Sequence, residues 1–444
     1  MKCYDYIYIW VLFFLLKSVA CFNLDPNDKD SVYDGIDTVT KGMLNYYQPS
    51  SHDFTAYWWM TGSCLNGMLN TYSGTKNKTH MGLVVDSLLA NKGENDDFAP
   101  DNEKFNLGND DQGIWGLTGM SAAEINIQDN QSDVSWAAIA QAVTNEMSAR
   151  WDNSSCNGGI RWQIYSFNQG YSYKNTISNG ALFQLASRLA RYTRNDTYAE
   201  LARKVWDWSV SVNFVDADSY AVYDGSKTET NCSSVTNEQW SYTTGVYLAG
   251  TAFLYNYTNG TSEWKGHMDG LLNRTLNHYF NEDKIIYEPT CETSNTCNYD
   301  QTGFKGMLAR YLSYTMQLAP YTAETIMPYL HASAKAAALA CSGGYDGVTC
   351  GNRWTWNNGT WDKNYGLGEQ LSALEVIQSV LTPQYSPLLS LDTGARSKSD
   401  PSAGQITQVS YSVPAATKSD KGWAGFLTAL FSFLFLLFSL WLFF

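Results

Sequence analysis

Basic side chains are scarce in this 444-residue sequence, which has 29 Lys and Arg residues against 43 Asp and Glu residues and a formal net charge of −14 at pH 7. An acidic surface repels phosphate backbones, so the composition argues against a nucleic-acid partner. Aromatic residues, by contrast, make up 15% of the chain, with 16 Trp and 30 Tyr. This weight of aromatic surface favours a neutral ligand rich in hydroxyl groups. The length is ample for one large hydrophobic core or two ordinary ones.

Histidine and several common catalytic motifs are also rare. The five histidines, at positions 52, 80, 267, 278 and 331, are not spaced as a zinc-binding pair. The chain contains no Gly-x-Ser-x-Gly elbow of a serine hydrolase and no glycine loop that would cradle phosphates. The sequence therefore predicts neither a metal nor a cofactor.

The nine cysteines lack the Cys-x-x-Cys spacing of a metal site and are spread along the chain. We therefore expect disulfides formed in an oxidising compartment. Two pairs, Cys291 with Cys297 and Cys341 with Cys350, are close enough in sequence to close local loops. The pairing of the others stays open; they are Cys64, Cys156 and Cys232, together with Cys21 if signal cleavage follows Ala20.

The N-terminus and the glycosylation sequons indicate passage through the secretory pathway. Residues 1–21 have a short positive start, an apolar core from Ile7 to Leu16 and a small-residue cleavage zone, as a signal peptide has. The alternative is an uncleaved membrane anchor, for which the apolar core is short. Sequons that predict N-glycosylation lie at Asn77, Asn130, Asn153, Asn195, Asn231, Asn256, Asn259, Asn273 and Asn358.

Charged residues are absent from the end of the chain. Residues 424–444 are apolar, have no basic flank after them, and follow a polar spacer at 417–422 and small residues at 415–416. This order is typical of a GPI-attachment signal, with a removed tail at 423–444 and an attachment residue between Ser412 and Gly422. A plain transmembrane tail is the alternative. Residues 383–422, with much Ser, Thr, Pro and Gly, predict a flexible stalk.

No run of alternating strands occurs between the two termini, and the hydrophobic pattern predicts two kinds of helix. The first kind begins with polar, aromatic or glycine residues and continues as small or apolar helix; it covers Phe54–Tyr72, Gly113–Ile125, Asn179–Tyr192, Thr244–Tyr255, Gly303–Gln317 and Leu367–Leu381. The second kind is amphipathic and covers Ser31–Tyr47, Val134–Trp151, Asp196–Val212, Ser262–Phe280 and Thr325–Cys341, with a less regular example at His80–Asn91. Six inner starts that recur about every sixty residues predict an all-α toroid of alternating inner and outer helices. The inner starts then form a pocket at one end.

The stretch Asn109–Gly116 places two adjacent carboxylates, Asp110 and Asp111, among amides, glycines and an indole just before one inner helix. For a bare Asp-Asp pair, capping of the helix N-terminus is the simpler interpretation. The aromatic and amide neighbours suit a carbohydrate pocket instead, and two carboxylates are the groups that glycoside chemistry needs.

Several motifs together resemble glycoside hydrolase family 76, in its fungal GPI-anchored branch. They are Asn109–Gln112, Gly158–Trp162, Lys174–Asn175 with Ser178–Gly180, Glu238–Tyr242, Asp300–Gln301 with Phe304–Gly306, and Gly366–Leu371. The resemblance runs from about residue 23 to residue 382 and implies an (α/α)6 barrel as the catalytic domain over residues 22–382. Bacterial members of the family are endo-α-1,6-mannanases. The fungal branch is thought to act on the mannose core of GPI anchors and to pass wall glycoproteins onto β-glucan.

The resemblance implies that Asp110 is the nucleophile and Asp111 the general acid/base of a retaining mechanism. We expect the rings of Trp58, Trp59, Trp162, Trp240 and Tyr242 to stack on sugars, with core packing as the alternative for each tryptophan. Candidates for hydroxyl contacts are Asn109, Gln112, Asn179, Gln239 and Asp300. Glu369 begins the last inner helix and either assists the pocket or caps the helix.

The leading hypothesis is a monomeric, GPI-anchored transglycosidase at the cell surface, held by its lipid in the plasma membrane or in the wall. Its donor is α-1,6-mannan or a GPI-core glycan, and wall β-glucan is its acceptor. A second hypothesis keeps the fold but makes the protein a hydrolytic endo-α-1,6-mannanase. A third makes it a mannan-binding surface protein without turnover. Labelled transfer products separate the first two, and an Asp110→Asn protein that fully restores wall assembly would support the third.

Overall fold

The computed structural model describes residues 23–127, 135–345, 347–404 and 418–443. The chain divides into two compact units, of which the first ends at Gly404 and the second begins at Gln405. Thirteen α-helices lie within the described residues, twelve of them in the first unit. The predicted signal peptide, the sequon at Asn130 and most of the predicted GPI-attachment region lie outside the described residues.

Inner and outer helices alternate along the first unit, as the sequence predicts. The inner helices are α2 (Trp58–Thr75), α4 (Asn109–Glu124), α6 (Thr176–Thr193), α8 (Ser241–Tyr257), α10 (Phe304–Leu318) and α12 (Leu367–Ser379). The outer helices are α1 (Lys29–Leu44), α3 (Met81–Asn91), α5 (Trp136–Ala149), α7 (Asp196–Ser211), α9 (Ser262–His278) and α11 (Ala323–Ala340). Each inner helix contacts the next one along the chain, and α12 contacts α2, which closes the ring. The predicted (α/α)6 barrel is confirmed.

The composition of the two helix types explains their positions. The inner helix α6 is buried at seventeen consecutive residues from Thr176 to Tyr192, because its small and apolar side chains allow packing on every side. The outer helix α7 instead buries one stripe that includes Tyr198, Ala202 and Val205. Asn195 is the N-cap of this outer helix, and its side-chain oxygen accepts a hydrogen bond from the Thr197 backbone N–H.

Two buried ion pairs join neighbouring inner helices. Arg188 of α6 donates to Glu124 of α4 at 2.6 Å, and both side chains are fully buried. Arg310 of α10 is bound in the same way to Glu375 of α12 through its Nε at 2.9 Å. Loss of one partner would leave the other charge buried and unpaired, which is strongly destabilising. These pairs therefore fix the relative positions of the helices that they join.

The strands are two or three residues long, and within the described residues they form three two-stranded antiparallel sheets. They are β1 (Tyr47–Gln48) with β2 (Asp53–Phe54), β3 (Tyr173–Asn175) with β4 (Gly225–Lys227), and β5 (Cys341–Gly343) with β6 (Thr349–Cys350). β3 leads directly into α6, and its pairing with β4, which follows α7, helps to fix the start of α6.

Three disulfides staple loops of the first unit. Cys291–Cys297 and Cys341–Cys350 close the two local loops that the sequence predicts, and Cys156 pairs with Cys232 across 76 residues. Cys64 is buried in α2 and has no disulfide partner among the described residues. The cysteines at positions 3 and 21 lie outside those residues.

Most of the described sequon asparagines are accessible. Exposed ones are Asn77, Asn153, Asn231, Asn259, Asn273 and Asn358, whereas Asn195 is partly buried at its helix start. Asn256 corrects the prediction, because its side chain accepts a hydrogen bond from Arg191 Nε at 2.9 Å and donates to the Leu318 carbonyl at 3.3 Å. A glycan at this site would be attached to the amide nitrogen that donates to Leu318.

Residues 383–404 also correct the sequence prediction, which made them the start of a flexible stalk. They pack against the barrel: Arg191 donates to the Leu388 carbonyl at 2.6 Å, and Asn145 of α5 donates to the Ala403 carbonyl at 2.8 Å. Small polar residues of this segment leave their backbone carbonyls open to such donors. We call residues 383–404 the strap.

The second unit is described over one helix, α13 (Lys418–Phe443). Within it, Lys421–Ser439 is long and apolar enough to cross a membrane, judged by length and composition. The same feature is compatible with the tail of a GPI-attachment signal.

The strap is expected to stabilise the barrel. A secreted form of the chain that ends at residue 382 should unfold roughly 5 °C below a form that ends at Gly404, because buried donors such as Arg191 lose their acceptors. Differential scanning calorimetry of the two forms measures the difference. Equal unfolding temperatures would show that the strap contributes nothing.

Candidate active site

A cavity of about 380 Å³ opens at the end of the barrel where the inner helices begin. Five of the six inner helices contribute residues at or near their first turns, and the connecting loops complete the wall. The lining residues are Tyr57, Trp58, Trp59, Glu103, Asn106, Leu107, Asp110, Asp111, Ile114, Trp162, Gln163, Tyr173, Asn175, Ile177, Asp224, Tyr242, Asp300 and Phe304.

Asp110 and Asp111 stand in the first turn of α4 and are partly exposed to the cavity. Asp111 Oδ2 accepts the Gly108 backbone N–H at 2.9 Å, and Asp110 Oδ1 accepts the Asp111 N–H at 3.0 Å. The Trp162 side chain also hydrogen-bonds to Asp110. The pair therefore caps the helix, as the simpler interpretation holds, and the same bonds fix both carboxylates in the cavity.

Gly108 brings the two carboxylates close together. A Cβ added to this glycine would lie 2.2 Å from Asp110 Oδ1 and 3.0 Å from Asp111 Oδ2. These two oxygens are therefore at most about 5 Å apart, which is below the roughly 6.5–9.5 Å separation of the carboxyl groups in inverting glycosidases. Only a residue without a side chain leaves room for both groups.

The cavity favours a shared proton over two charges on this pair. Burial and the negative charge of Asp111 raise the pKa of Asp110 well above its ordinary value. Burial also raises the pKa of Asp111, and the negative charges of Asp300 and Glu103 act in the same direction. Like charges at this distance resist double ionisation, so one proton stays on the pair to higher pH than on isolated aspartates.

Three further carboxylates line the cavity. Burial raises the pKa of Asp224, whose Oδ2 accepts the Tyr173 hydroxyl at 2.7 Å. Burial likewise raises the pKa of Asp300, whose Oδ1 accepts the Trp59 indole N–H at 3.0 Å. Glu103 is the third. Over the described part of the chain, no Lys or Arg lines this cavity, so the charged side chains that line it are all acidic.

Four of the predicted aromatic residues lie in the cavity wall. Trp58 stacks on Trp115 of α4 with ring centroids 4.8 Å apart, and Tyr242 stacks on Phe304 at 3.7 Å. Trp59 and Trp162 also line the wall. Gly170 has a φ of +99°, and a Cβ there would overlap the Trp162 ring, so a glycine is needed to let the backbone support this indole.

Three predicted sugar-binding amides are corrected, because their side chains are buried and bound within the protein. Asn109 accepts from Arg150 at 2.9 Å and donates to the Arg161 carbonyl at 2.9 Å. Gln112 accepts from the same guanidinium at 2.6 Å. Asn179 accepts the Ile160 N–H at 2.9 Å and donates back to the Ile160 carbonyl at 3.0 Å. These amides hold the loops around α4 and α6 and do not reach the cavity.

Two other predicted residues lie outside the lining. Gln239 accepts from Arg274 at 2.6 Å, and the Trp240 ring meets Phe304 edge-on at 5.7 Å, behind the cavity wall. The Trp240 side chain also hydrogen-bonds to Asp224 and so supports a lining carboxylate from outside. Glu369 is buried at the start of α12 and does not line the cavity.

The sequence interpretation missed several lining residues, among them Tyr57, Glu103, Tyr173, Asn175 and Asp224. A signal for Asp224 existed: it lies between Tyr223 and the start of β4, in a polar segment next to a glycine. Glu103 belongs to an irregular loop whose course no helix or strand pattern predicts. Among the described residues, no group of three or more His, Cys, Asp or Glu side chains is arranged to hold a metal ion.

Comparison with known proteins identifies the family. Residues 31–392 match the model of glycosyl hydrolase family 76. A Schizosaccharomyces pombe relative is 66% identical over 415 residues, which cover 94% of each chain. The mannan endo-1,6-α-mannosidase DFG5 of Saccharomyces cerevisiae is 43% identical over 425 residues, which cover 93% of this chain and 92% of DFG5.

Solved structures agree with that match. The crystal structure of Dfg5 from Chaetomium thermophilum in complex with glucosamine has a TM-score of 0.80 and 35% identity, and the match covers 86% of this chain and 98% of that chain. The α-1,6-mannanase GH76A of Salegentibacter shares the fold. Its match has a TM-score of 0.63 and 17% identity, and it covers 78% of this chain and 98% of that one. With the barrel, the paired carboxylates and these matches in agreement, the chain belongs to glycosyl hydrolase family 76.

Proposed function

We propose that the protein is a retaining glycosidase specific for α-1,6-linked mannose, that Asp110 and Asp111 carry out the reaction, and that it works mainly by transfer. The observation that supports this most is that the facing oxygens of the two carboxylates, on either side of Gly108, are at most about 5 Å apart. Retaining enzymes hold their carboxyl groups about 5–5.5 Å apart, whereas inverting enzymes need about 6.5–9.5 Å to admit a water. The name of the yeast relative DFG5, a mannan endo-1,6-α-mannosidase, supports the sugar and the linkage.

Asp110 is the nucleophile and Asp111 the general acid/base in this proposal. Two N–H donors, from the Asp111 backbone and the Trp162 side chain, favour the ionised form of Asp110. Asp111 accepts one backbone N–H and faces the charges of Asp300 and Glu103, which favour its protonated form. The assignment of the shared proton to Asp111 rests on the family resemblance, since burial raises the pKa of both carboxyl groups.

In the first step, an Asp110 carboxylate oxygen attacks the anomeric carbon of mannose while the glycosidic bond breaks. Asp111 gives its proton to the leaving oxygen, so the remaining glycan departs as a neutral alcohol. In the second step, ionised Asp111 takes the proton of an incoming hydroxyl, whose oxygen attacks the same carbon and breaks the bond to Asp110. Two inversions leave the anomeric configuration unchanged.

The choice between transfer and hydrolysis is made at the second step. Water and a sugar hydroxyl compete for the mannosyl-enzyme, and a hydroxyl prevails only if the acceptor is bound beside it. Burial and aromatic walls such as Trp58, Trp59 and Trp162 limit free water around the carboxylates. Wall β-glucan is the proposed acceptor.

The acidic wall favours a GPI-core glycan as the donor over plain mannan. The lining contains five carboxylates and, over the described residues, no basic side chain to neutralise them. A GPI-core glycan contains glucosamine next to its mannoses, and the amine of that sugar is a cation that such a wall attracts. The Chaetomium Dfg5 relative was crystallised with glucosamine.

We infer from the sequences of the two termini that this activity occurs at the cell surface. A signal peptide at 1–21 would direct the chain to secretion, and the apolar segment within α13 would be exchanged for a GPI lipid. The lipid would hold the enzyme beside the plasma membrane or wall, where both glycans of the proposed reaction occur.

To test the proposal, the full-length protein is purified in detergent. It is then incubated with a labelled α-1,6-mannoside or GPI-glycan donor and with β-glucan oligosaccharides. Chromatography and mass spectrometry should detect label covalently joined to glucan. Release of labelled reducing sugar alone, with no chimeric product, would replace transfer with hydrolysis. No turnover of either kind would leave the binding-protein hypothesis.

Asparagine substitutions should separate the roles of the two carboxylates. Asp110→Asn is expected to lower kcat/KM by at least about 10³-fold on every donor, because no nucleophile remains. Asp111→Asn should be as inactive on the natural linkage but keep the first step on an aryl mannoside whose leaving group needs no proton. Burst kinetics with the aryl donor measure that step. The exposed Asp37→Asn is the control, and a D110N protein that still shows a burst would reverse the assignment.

The raised pKa values predict an activity that persists to neutral pH. Ordinary aspartates, with pKa values near 3.9, would both be ionised by about pH 5 and could not protonate a leaving group. Here burial keeps one proton on the pair, so kcat/KM should stay high at neutral pH and fall only when that last proton leaves at higher pH. A pH–rate profile measures this. An alkaline limb at pH 4–5 would contradict the account.

Gly108→Ala should lower activity while leaving the fold intact. Its Cβ would lie 2.2 Å from Asp110 Oδ1, so the carboxylate must move, and a displacement of about 1 Å costs roughly 100-fold in kcat/KM. Gly266→Ala is a matched control, since a Cβ there meets nothing within 4 Å. Steady-state kinetics and thermal unfolding of both variants give the readout, and a fully active G108A protein would refute the steric argument.

A further inference from the structure

Three aromatic side chains form a cluster on two loops beside the cavity. Phe167 stacks on Tyr165 with ring centroids 5.3 Å apart and an interplanar angle of 8°, and Phe105 lies 6.1 Å from Tyr165 and 6.5 Å from Phe167. Phe105 is 50% exposed and Phe167 is 56% exposed. We call Phe105, Tyr165 and Phe167 the aromatic platform.

The aromatic platform is continuous with the cavity. Asn106 and Leu107, which follow Phe105 directly, line the cavity, and so does Gln163 on the second loop. Asn168 joins the two loops, because it donates to the Phe105 carbonyl at 2.7 Å and to Gln163 Oε1 at 3.2 Å. A chain that leaves the cavity over Gln163 therefore meets the platform next.

Phe105 and Phe167 are two half-exposed phenylalanines close to each other on the surface of the first unit. Exposed apolar patches of this kind usually mark binding sites. Tyr165 supports one face of Phe167 and keeps that ring in a fixed orientation, so little conformational freedom is lost when a flat ligand binds. Nearby amides such as Asn168 and Gln163 supply hydrogen bonds at the edge of the platform.

We propose that the aromatic platform binds the acceptor polysaccharide, a neutral β-glucan chain, one or more sugar rings away from the reacting hydroxyl. This inference rests on the proposed transferase function and adds the place where the acceptor is held. Stacking on the platform would keep a glucan hydroxyl beside the mannosyl-enzyme at a high effective concentration. Water would then be the weaker competitor.

Sugar stereochemistry favours the glucan over the mannose donor as the occupant. In β-glucose every ring substituent is equatorial, so both ring faces present C–H groups to an aromatic surface. Mannose carries an axial 2-hydroxyl that interrupts one face. Charge also distinguishes the two regions, because the three platform side chains are neutral and the Lys104 ammonium lies 5.4 Å from the Phe105 ring centroid, whereas the cavity wall contains five carboxylates. The acidic cavity thus suits a donor with an amine, and the platform suits a neutral chain.

The test uses Phe105→Ala, Phe167→Ala and the double variant in the full-length protein, with β-1,3-glucan oligosaccharides as the acceptor probe. Each truncation should raise the acceptor KM roughly 3- to 10-fold, the effect of one lost aromatic contact, and lower the ratio of transfer to hydrolysis. Donor hydrolysis without acceptor should be unchanged. Tyr321→Ala is the control: Tyr321 is 46% exposed and follows the last turn of α10, at the opposite end of the barrel.

The outcomes distinguish this inference from the proposed function. If transfer persists and the acceptor KM is unchanged in the double variant, the platform is not the acceptor site, and the transferase proposal stands. If instead the KM for longer mannoside donors rises, the platform holds the donor, and the inference is overturned.

If the wild type forms no transfer product, a binding measurement decides. Calorimetric titration of the Asp110→Asn protein with the glucan oligosaccharides should show affinity that the added F105A and F167A substitutions remove. No such difference would overturn the inference.

Discussion

The first turn of α4 is the constraint on which the chemistry depends. Free backbone N–H groups at a helix start attract carboxylates, and Asp110 and Asp111 satisfy them while facing a cavity. Gly108 lets the two groups lie within about 5 Å, and burial then keeps a proton between them. The ordinary role of the acidic pair as a cap and the catalytic role that we propose for it therefore use the same arrangement, which a closed ring of helices holds in place.

Much of the fold could be predicted from the sequence, because it depends on patterns that repeat. Six segments of small and apolar residues, such as the one that became α6, alternate with amphipathic ones, and only a closed ring buries the first kind on all sides. The position of the proposed catalytic pair was predictable for a similar reason: Asp110 and Asp111 lie at the start of an inner helix, and the inner helices begin at one end of the barrel.

The rest depends on partners that no local pattern reveals. Asn109 and Gln112 have the residue types of a sugar site, but their side-chain oxygens accept hydrogen bonds from Arg150, which directly follows α5. Asn256 fits a glycosylation sequon, yet it faces Arg191. The strap has the composition of a disordered stalk, but barrel side chains donate hydrogen bonds to its carbonyls, and its own N–H groups at Leu389 and Asp400 donate to the barrel. In each case the deciding contact joins residues distant in sequence.

The stereochemistry of the first product tests the central claim most directly. Proton NMR of a reaction started with an α-mannoside donor resolves the anomeric signals before mutarotation mixes them. Two carboxylates at the short spacing predict that the α-anomer, or an α-linked transfer product, forms first. Initial formation of the β-anomer would mean a single inversion through an intervening water, and it would contradict the role given to Asp110 and Asp111.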